Sequence, residues 1–134
     1  MDNGPPARPI VLVVDDDPQV RAITVRALAD GGFATLEATN AVDALAVLQD
    51  PTAPDIRLVI TDVVMPGMAG DDFGRLLHHI HPELPVLYMS GYSRPAFDFL
   101  SPEELERCWV SKPFDISELV QKARECLEAG RPQS

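Results

Sequence analysis

The 134 residues suffice for one domain that buries roughly two-thirds of the surface its unfolded chain would expose. A net charge of −10, with no basic stripe to offset it, argues against nucleic-acid binding, which relies on Lys and Arg to neutralise phosphates. The apolar runs are far shorter than a membrane span, and no signal-like segment follows Met1. The two cysteines, Cys108 and Cys126, form neither a disulfide framework nor a metal-ligand spacing. They read as small apolar residues in a reducing cytoplasm.

Residues 1–8 are a polar lead with Pro and Gly, expected to be disordered. Five strand-like and five helix-like segments then alternate, without internal repeat. Residues 10–14 are an unbroken β-branched and leucine run, as a strand covered on both faces requires. Asp17 and Pro18 open a helix as cap and first residue, with Val20, Ile23, Thr24, Ala27 and Leu28 expected inward and Gly31-Gly32 as its stop. A strand over 33–38 follows, then a helix capped by Asn40, bearing Ala44, Leu45 and Leu48 and ending before Pro51. The third strand is placed at 58–61, ahead of the Met65-Pro66-Gly67 loop, and the third helix at 71–80. The fourth strand covers 86–89. Ser101-Pro102-Glu103-Glu104 is a helix start with cap, proline and acid in register. A fifth strand over 108–111 precedes a helix opened by Asp115, with Leu119, Val120, Ala123 and Leu127 inward. The alternation predicts an α/β fold, a doubly wound (βα)5 sandwich on a five-stranded parallel sheet of order 2-1-3-4-5, flavodoxin-like.

In such a sheet, ligands sit beyond the carboxyl ends of the strands. Strand one ends in Asp15-Asp16, strand three in Asp62, strand four in Ser90 and strand five in Lys112. Each has an ordinary explanation alone: a solvated loop and helix cap, a loop acid, a turn pair with Gly91, a surface lysine. Together, at one edge, they suit phosphoryl transfer. Three adjacent carboxylates repel one another and attract a hard cation, and magnesium takes oxygen ligands of this kind. Lys112 can neutralise a phosphate, the Ser90 hydroxyl can donate to a phosphoryl oxygen, and a carboxylate can act as nucleophile.

Four strings, V-L-V-V-D-D-D-P (11–18), L-V-I-T-D-V-V-M-P-G-M-A-G (58–70), P-V-L-Y-M-S-G-Y (85–92) and W-V-S-K-P-F-D (109–115), resemble in order and spacing the receiver domain of two-component response regulators. The resemblance covers residues 9–130, leaving 131–134 as a tail. It implies that Asp62 accepts a phosphoryl group from a histidine kinase or a His-containing phosphotransfer protein. It implies that Asp16 ligates Mg2+ directly, that Asp15 acts through a metal-bound water, and that Val64 offers its backbone carbonyl. Ser90 takes the place of the hydroxyl residue that moves to the phosphoryl group. Lys112, followed by Pro113 in a cis bond, pairs with the phosphate. Trp109 holds the aromatic switch position, where Tyr or Phe is usual, and is expected to swing inward on phosphorylation. Helix four looks interrupted before its restart at Ser101. The Y-M-S-G-Y stretch resembles receivers fused to hybrid sensor kinases, so output would pass through a protein partner or a longer parent chain.

Two other classes fit the sequence less well. A magnesium phosphatase of the haloacid-dehalogenase type carries a second Asp two residues after its nucleophile, where this chain has Val64. A flavin or nucleotide module needs a Gly- and hydroxyl-rich loop after the first strand, and Asp15 to Asp17 would repel its phosphate. His78, His79 and His81 lack a matching ligand cluster and read as the exposed face and end of the third helix.

Overall fold

The computed structural model describes residues 8–64, 67–68, 70–90, 101–111 and 115–129. In chain order the elements are β1 (Ile10–Val14), α1 (Pro18–Asp30), β2 (Ala34–Ala38), α2 (Ala41–Gln49), β3 (Ile56–Asp62), α3 (Gly70–Ile80), β4 (Val86–Ser90), α4 (Pro102–Arg107), β5 (Trp109–Ser111) and α5 (Ile116–Ala129). All strand pairs are parallel and the order is β2-β1-β3-β4-β5, as the alternation predicts.

Strand side chains alternate between two faces, and the core divides accordingly. Val11, Val13, Leu58, Ile60, Leu87, Met89 and Val110 pack with Ala27 and Leu28 of α1 and Leu119, Ala123 and Cys126 of α5. Leu12, Val14, Val59, Val86, Tyr88 and Trp109 pack on the other face with Ala41 and Ala44 of α2 and Phe73 and Leu77 of α3. Covering both faces explains why β1 and β3 read as continuous apolar runs rather than alternating ones.

The caps are built from the residues that signal them. Asp17 accepts from the N–H groups of Gln19 and Val20, and Pro18 begins α1. At the other end Phe33 N–H donates to Leu28 O and Gly32 N–H to Ala29 O, a paired closure that requires Gly32 at φ +100°. Asn40 caps α2, and Ser101 with Glu104 forms a reciprocal capping box on α4.

Several boundaries differ from expectation. Strand β3 starts at Ile56, because its pairing with β1 shifts register between Ile10 and Val11 and leaves Arg57 exposed. Phe33 precedes β2; its backbone closes the α1 turn while its ring enters the core. Cys108 caps α4 instead of opening β5, although its carbonyl already accepts from Tyr88 N–H. Ile23, expected inward, is 51% exposed, since the buried stripe of α1 runs through Thr24, Ala27 and Leu28 and Ile23 lies on its flank. Cys126, read from sequence as a small apolar residue, is buried in α5 with its sulfur 3.5 Å from that of Cys108, and the two form no disulfide. Residues 1–7 of the expected lead, the 131–134 tail, the stretch 91–100 before Ser101, and Lys112 with Pro113 lie outside the described residues. Among the described residues no helix is long and apolar enough to cross a membrane.

Candidate functional site

Strands β1 and β3 are adjacent and parallel, so their carboxyl ends meet. Their register pairs Val14 with Thr61, and one further step sets Asp15 opposite Asp62. The ligand oxygens of Asp15, Asp16 and Asp62 all lie within 4.8 Å of one another.

The acidic run after β1 is three residues with three environments. Asp15 is fully buried. Its N–H donates to Ala38 O at 3.1 Å, its Oδ1 accepts from Asp17 N–H at 2.9 Å, and its carbonyl accepts from Arg21 Nη1 at 2.7 Å. Asp16 is exposed and also lines an open groove with Asn40, Val42, Gly67 and Met68, so the cluster reaches solvent there. Asp17 is spent on capping α1, as expected.

Asp62 is the last residue of β3 and only 7% exposed. Its Oδ1 accepts from Val64 N–H at 3.4 Å, a long bond. Val63 N–H donates to Met89 O at 3.0 Å, which carries the β3–β4 ladder one residue past the acid and stiffens its base. Beyond it the chain turns through Gly67 at φ +80°. Val64 itself is 55% exposed.

Ser90 ends β4 and is 2% exposed; since Asp62 pairs with Met89, Ser90 sits one step beyond the acid on the neighbouring strand. It pairs in register with Ser111 of β5. Trp109 pairs with Tyr88, on the face opposite Val110, and its indole is 8% exposed. Lys112 would follow Ser111 directly but lies outside the described residues. The described geometry therefore gathers Asp15, Asp16 and Asp62, with Ser90 alongside. The histidines stand apart: His78 and His79 are exposed on α3, and His81 Nδ1 is 3.9 Å from Glu83. Among the described residues they join no group of potential metal ligands.

Like charges this close, one of them wholly buried, form an arrangement that water alone stabilises poorly. A hard divalent cation with oxygen preference fits the donor set, directly or through bound water. The sequence reading missed Arg21 and Glu37. Arg21 Nε donates to Glu37 Oε1 at 3.0 Å while Nη1 holds the Asp15 carbonyl. A cation one turn into the helix that follows the acids, with an acid in the short strand beside them, was the available signal.

The model of the response regulator receiver domain family matches residues 11–124. Sensor kinase CckA of Brucella abortus is 35% identical over 118 residues, covering 88% of this chain and 12% of CckA. The transcriptional regulator NtrC of Salmonella typhimurium is 38% identical over 123 residues, 84% of this chain and 24% of NtrC. The chain thus spans about an eighth and about a quarter of these two relatives. The solved receiver domain of NtrX from Brucella abortus superposes with a TM-score of 0.73 at 32% identity, over 90% of this chain and 99% of that one.

Proposed function

Since the chain belongs to the response regulator receiver domain family, we propose that it accepts a phosphoryl group on the Asp62 carboxylate and signals through the resulting change of shape. The observation that carries this reading is the convergence of three carboxylates, within 4.8 Å, at the carboxyl ends of two adjacent parallel strands. The donor is a phosphohistidine, on a histidine kinase or a His-containing phosphotransfer protein. An Asp62 oxygen attacks phosphorus, the P–N bond breaks as the P–O bond forms, and the imidazole leaves with its electron pair and takes up a proton. Its short strand-end position, stiffened by the Val63–Met89 bond, holds the attacking oxygen in place, which is the main task in phosphoryl transfer.

A magnesium ion, when bound, offsets the repulsion between the acids and the anionic donor. Asp16 and Asp62 would hold it by carboxylate oxygens, Asp15 through water, and Val64 by its carbonyl. Lys112 pairs with the phosphoryl group. Ser90 donates its hydroxyl to a phosphoryl oxygen, and that movement alters the packing around Trp109, making these two the switch. Turnover is confined to self-catalysed transfer and hydrolysis. Residues 9–130 make the working unit in the cytoplasm, and the output passes to a protein partner rather than to nucleic acid or membrane.

Acetyl phosphate with magnesium should add one phosphoryl mass to the wild type and none to Asp62→Asn, and excess chelator should suppress labelling. Equal labelling of the variant, or full labelling in chelator, would overturn the assignment.

A further inference from the structure

Resting on the reading that the three acids hold a divalent cation, we propose that Arg21 is a positioning residue for that site. It would fix the peptide unit between Asp15 and Asp16 and thereby set the geometry that selects magnesium.

The peptide joining the two acids is planar, so holding its oxygen also orients the N–H and Cα of Asp16. That oxygen is the Asp15 carbonyl, which accepts from Arg21 Nη1 at 2.7 Å. The other polar groups of Asp15 have their own anchors: its N–H on Ala38 O and its Oδ1 on Asp17 N–H. Asp16 is exposed at the edge of an open groove, so the peptide before it is a main determinant of its direction. Arg21 is suited to this work. Its side chain is 17% exposed and its guanidinium is a rigid fork, with Nε fixed on Glu37 Oε1 at 3.0 Å. The plane thus ties the end of β1 to β2 across the first turn of α1.

Glu37 also decides how the arginine acts. With a carboxylate against the guanidinium, most of its charge is balanced locally, so Arg21 repels an incoming cation little. Its contribution is geometric. Magnesium requires nearly ideal octahedral coordination at short distances, whereas calcium accepts variable number and angle. Loosening the 15–16 peptide should therefore weaken magnesium more than calcium. A change of charge would move both together.

The test is calorimetric titration of the folded protein with Mg2+ and, separately, Ca2+, for wild type, Arg21→Ala, Arg21→Lys and Glu37→Gln, with melting curves to verify folding. Arg21→Ala should weaken Mg2+ about tenfold, the lower end for residues that orient metal ligands, and lower the Mg2+/Ca2+ affinity ratio severalfold. Arg21→Lys restores the charge but not the fork and should rescue only part of the loss; Glu37→Gln should lose less than Arg21→Ala. If Arg21→Ala does not fold, the affinity ratio of Arg21→Lys carries the same test. Unchanged Mg2+ affinity in a folded variant, equal factors for the two ions, or full rescue by lysine would overturn the proposal. If the wild type shows no saturable Mg2+ binding that Asp16→Asn abolishes, the metal reading fails and the positioning role falls with it. Wild-type binding without an Arg21 effect refutes the positioning role alone.

Discussion

Replacing Asp62 by asparagine should make the metal-free protein more stable, although it removes the carboxylate we propose as the phosphoryl acceptor. The oxygens of Asp15, Asp16 and Asp62 lie within 4.8 Å of one another. Two unit charges at that separation repel by about 1 kcal/mol at the dielectric of water and by about 3 kcal/mol at an effective value near 20. The Asp15–Asp62 pair leans toward the higher figure, since Asp15 is fully buried and Asp62 is 7% exposed. The exposed Asp16 interacts more weakly and is screened by salt. Asparagine keeps the shape and the Oδ1 acceptor for Val64 N–H, and at 3.4 Å little is lost from that bond. That repulsion bounds the net gain at up to about 3 kcal/mol less what the other polar partners of Asp62 contribute, a rise of up to several degrees in melting temperature for a domain of this size. Thermal melts in excess chelator would measure it, and the gain should shrink as salt is raised. Adding magnesium should stabilise the wild type through linkage and Asp62→Asn much less. The reasoning is refuted if the variant melts at or below the wild type in chelator, or if magnesium stabilises both equally.

Three other outcomes follow from particular contacts. A Cβ on Gly74 would collide with the Tyr88 hydroxyl and stand 2.6 Å from its Cζ. Gly74→Ala should therefore cost about 1–3 kcal/mol of overpacking, offset by up to about 1 kcal/mol of helix propensity. Denaturant melts should show a net loss, partly recovered by adding Tyr88→Phe. The Thr52 hydroxyl, and then the Thr52 N–H, hold the Asp50 carboxyl below the ordinary aspartate value. The small stability this lends is present above the unfolded-state pKa and fades as pH falls through the lowered folded one. Thr52→Val should raise the Asp50 pKa toward the ordinary value, as an NMR titration would register. Beryllofluoride with magnesium, a mimic of the acyl phosphate, should change the emission of Trp109, the single tryptophan. If the mimic binds and emission stays flat, the indole is a packing residue only.

The fold was legible because its signals are local and redundant. Asp17-Pro18, Asn40 and Ser101-Pro102 each mark a helix start in the side chain that caps it, and Gly31-Gly32 marks a stop that only a left-handed residue can make. The apolar runs of β1 and β3 announce strands covered on both faces. What escaped depends on contacts between elements. Arg57 breaks the apolar pattern, and only the register shift against β1 makes Ile56 a strand residue. Ile23 has the right spacing for an inward residue, but the width of the buried stripe is set by the sheet and α5. Cys108 belongs to a helix cap by its N–H and to the sheet by its carbonyl, a division that no single-residue pattern expresses.

The acids of the site were legible for a different reason. Asp15, Asp16 and Asp62 end apolar strands, and the 2-1-3-4-5 order makes the first and third of those strands neighbours. Arg21 was not, because its role is a bond to a backbone carbonyl six residues earlier and to an acid on another strand. Its place one turn into the helix after the acids is a weak signal, which a solvated surface arginine gives equally well.

The central claim, that Asp62 itself carries the phosphoryl group, is tested most directly by trapping the modified residue. The protein is treated with acetyl phosphate and magnesium, reduced with borohydride, digested, and the peptide around β3 is sequenced by tandem mass spectrometry. Borohydride reduces an acyl phosphate to the corresponding alcohol, so the account predicts homoserine at position 62 and unmodified aspartate at 15 and 16. Homoserine at position 15 or 16 with Asp62 intact, or phosphoryl label on a histidine of α3, would contradict it.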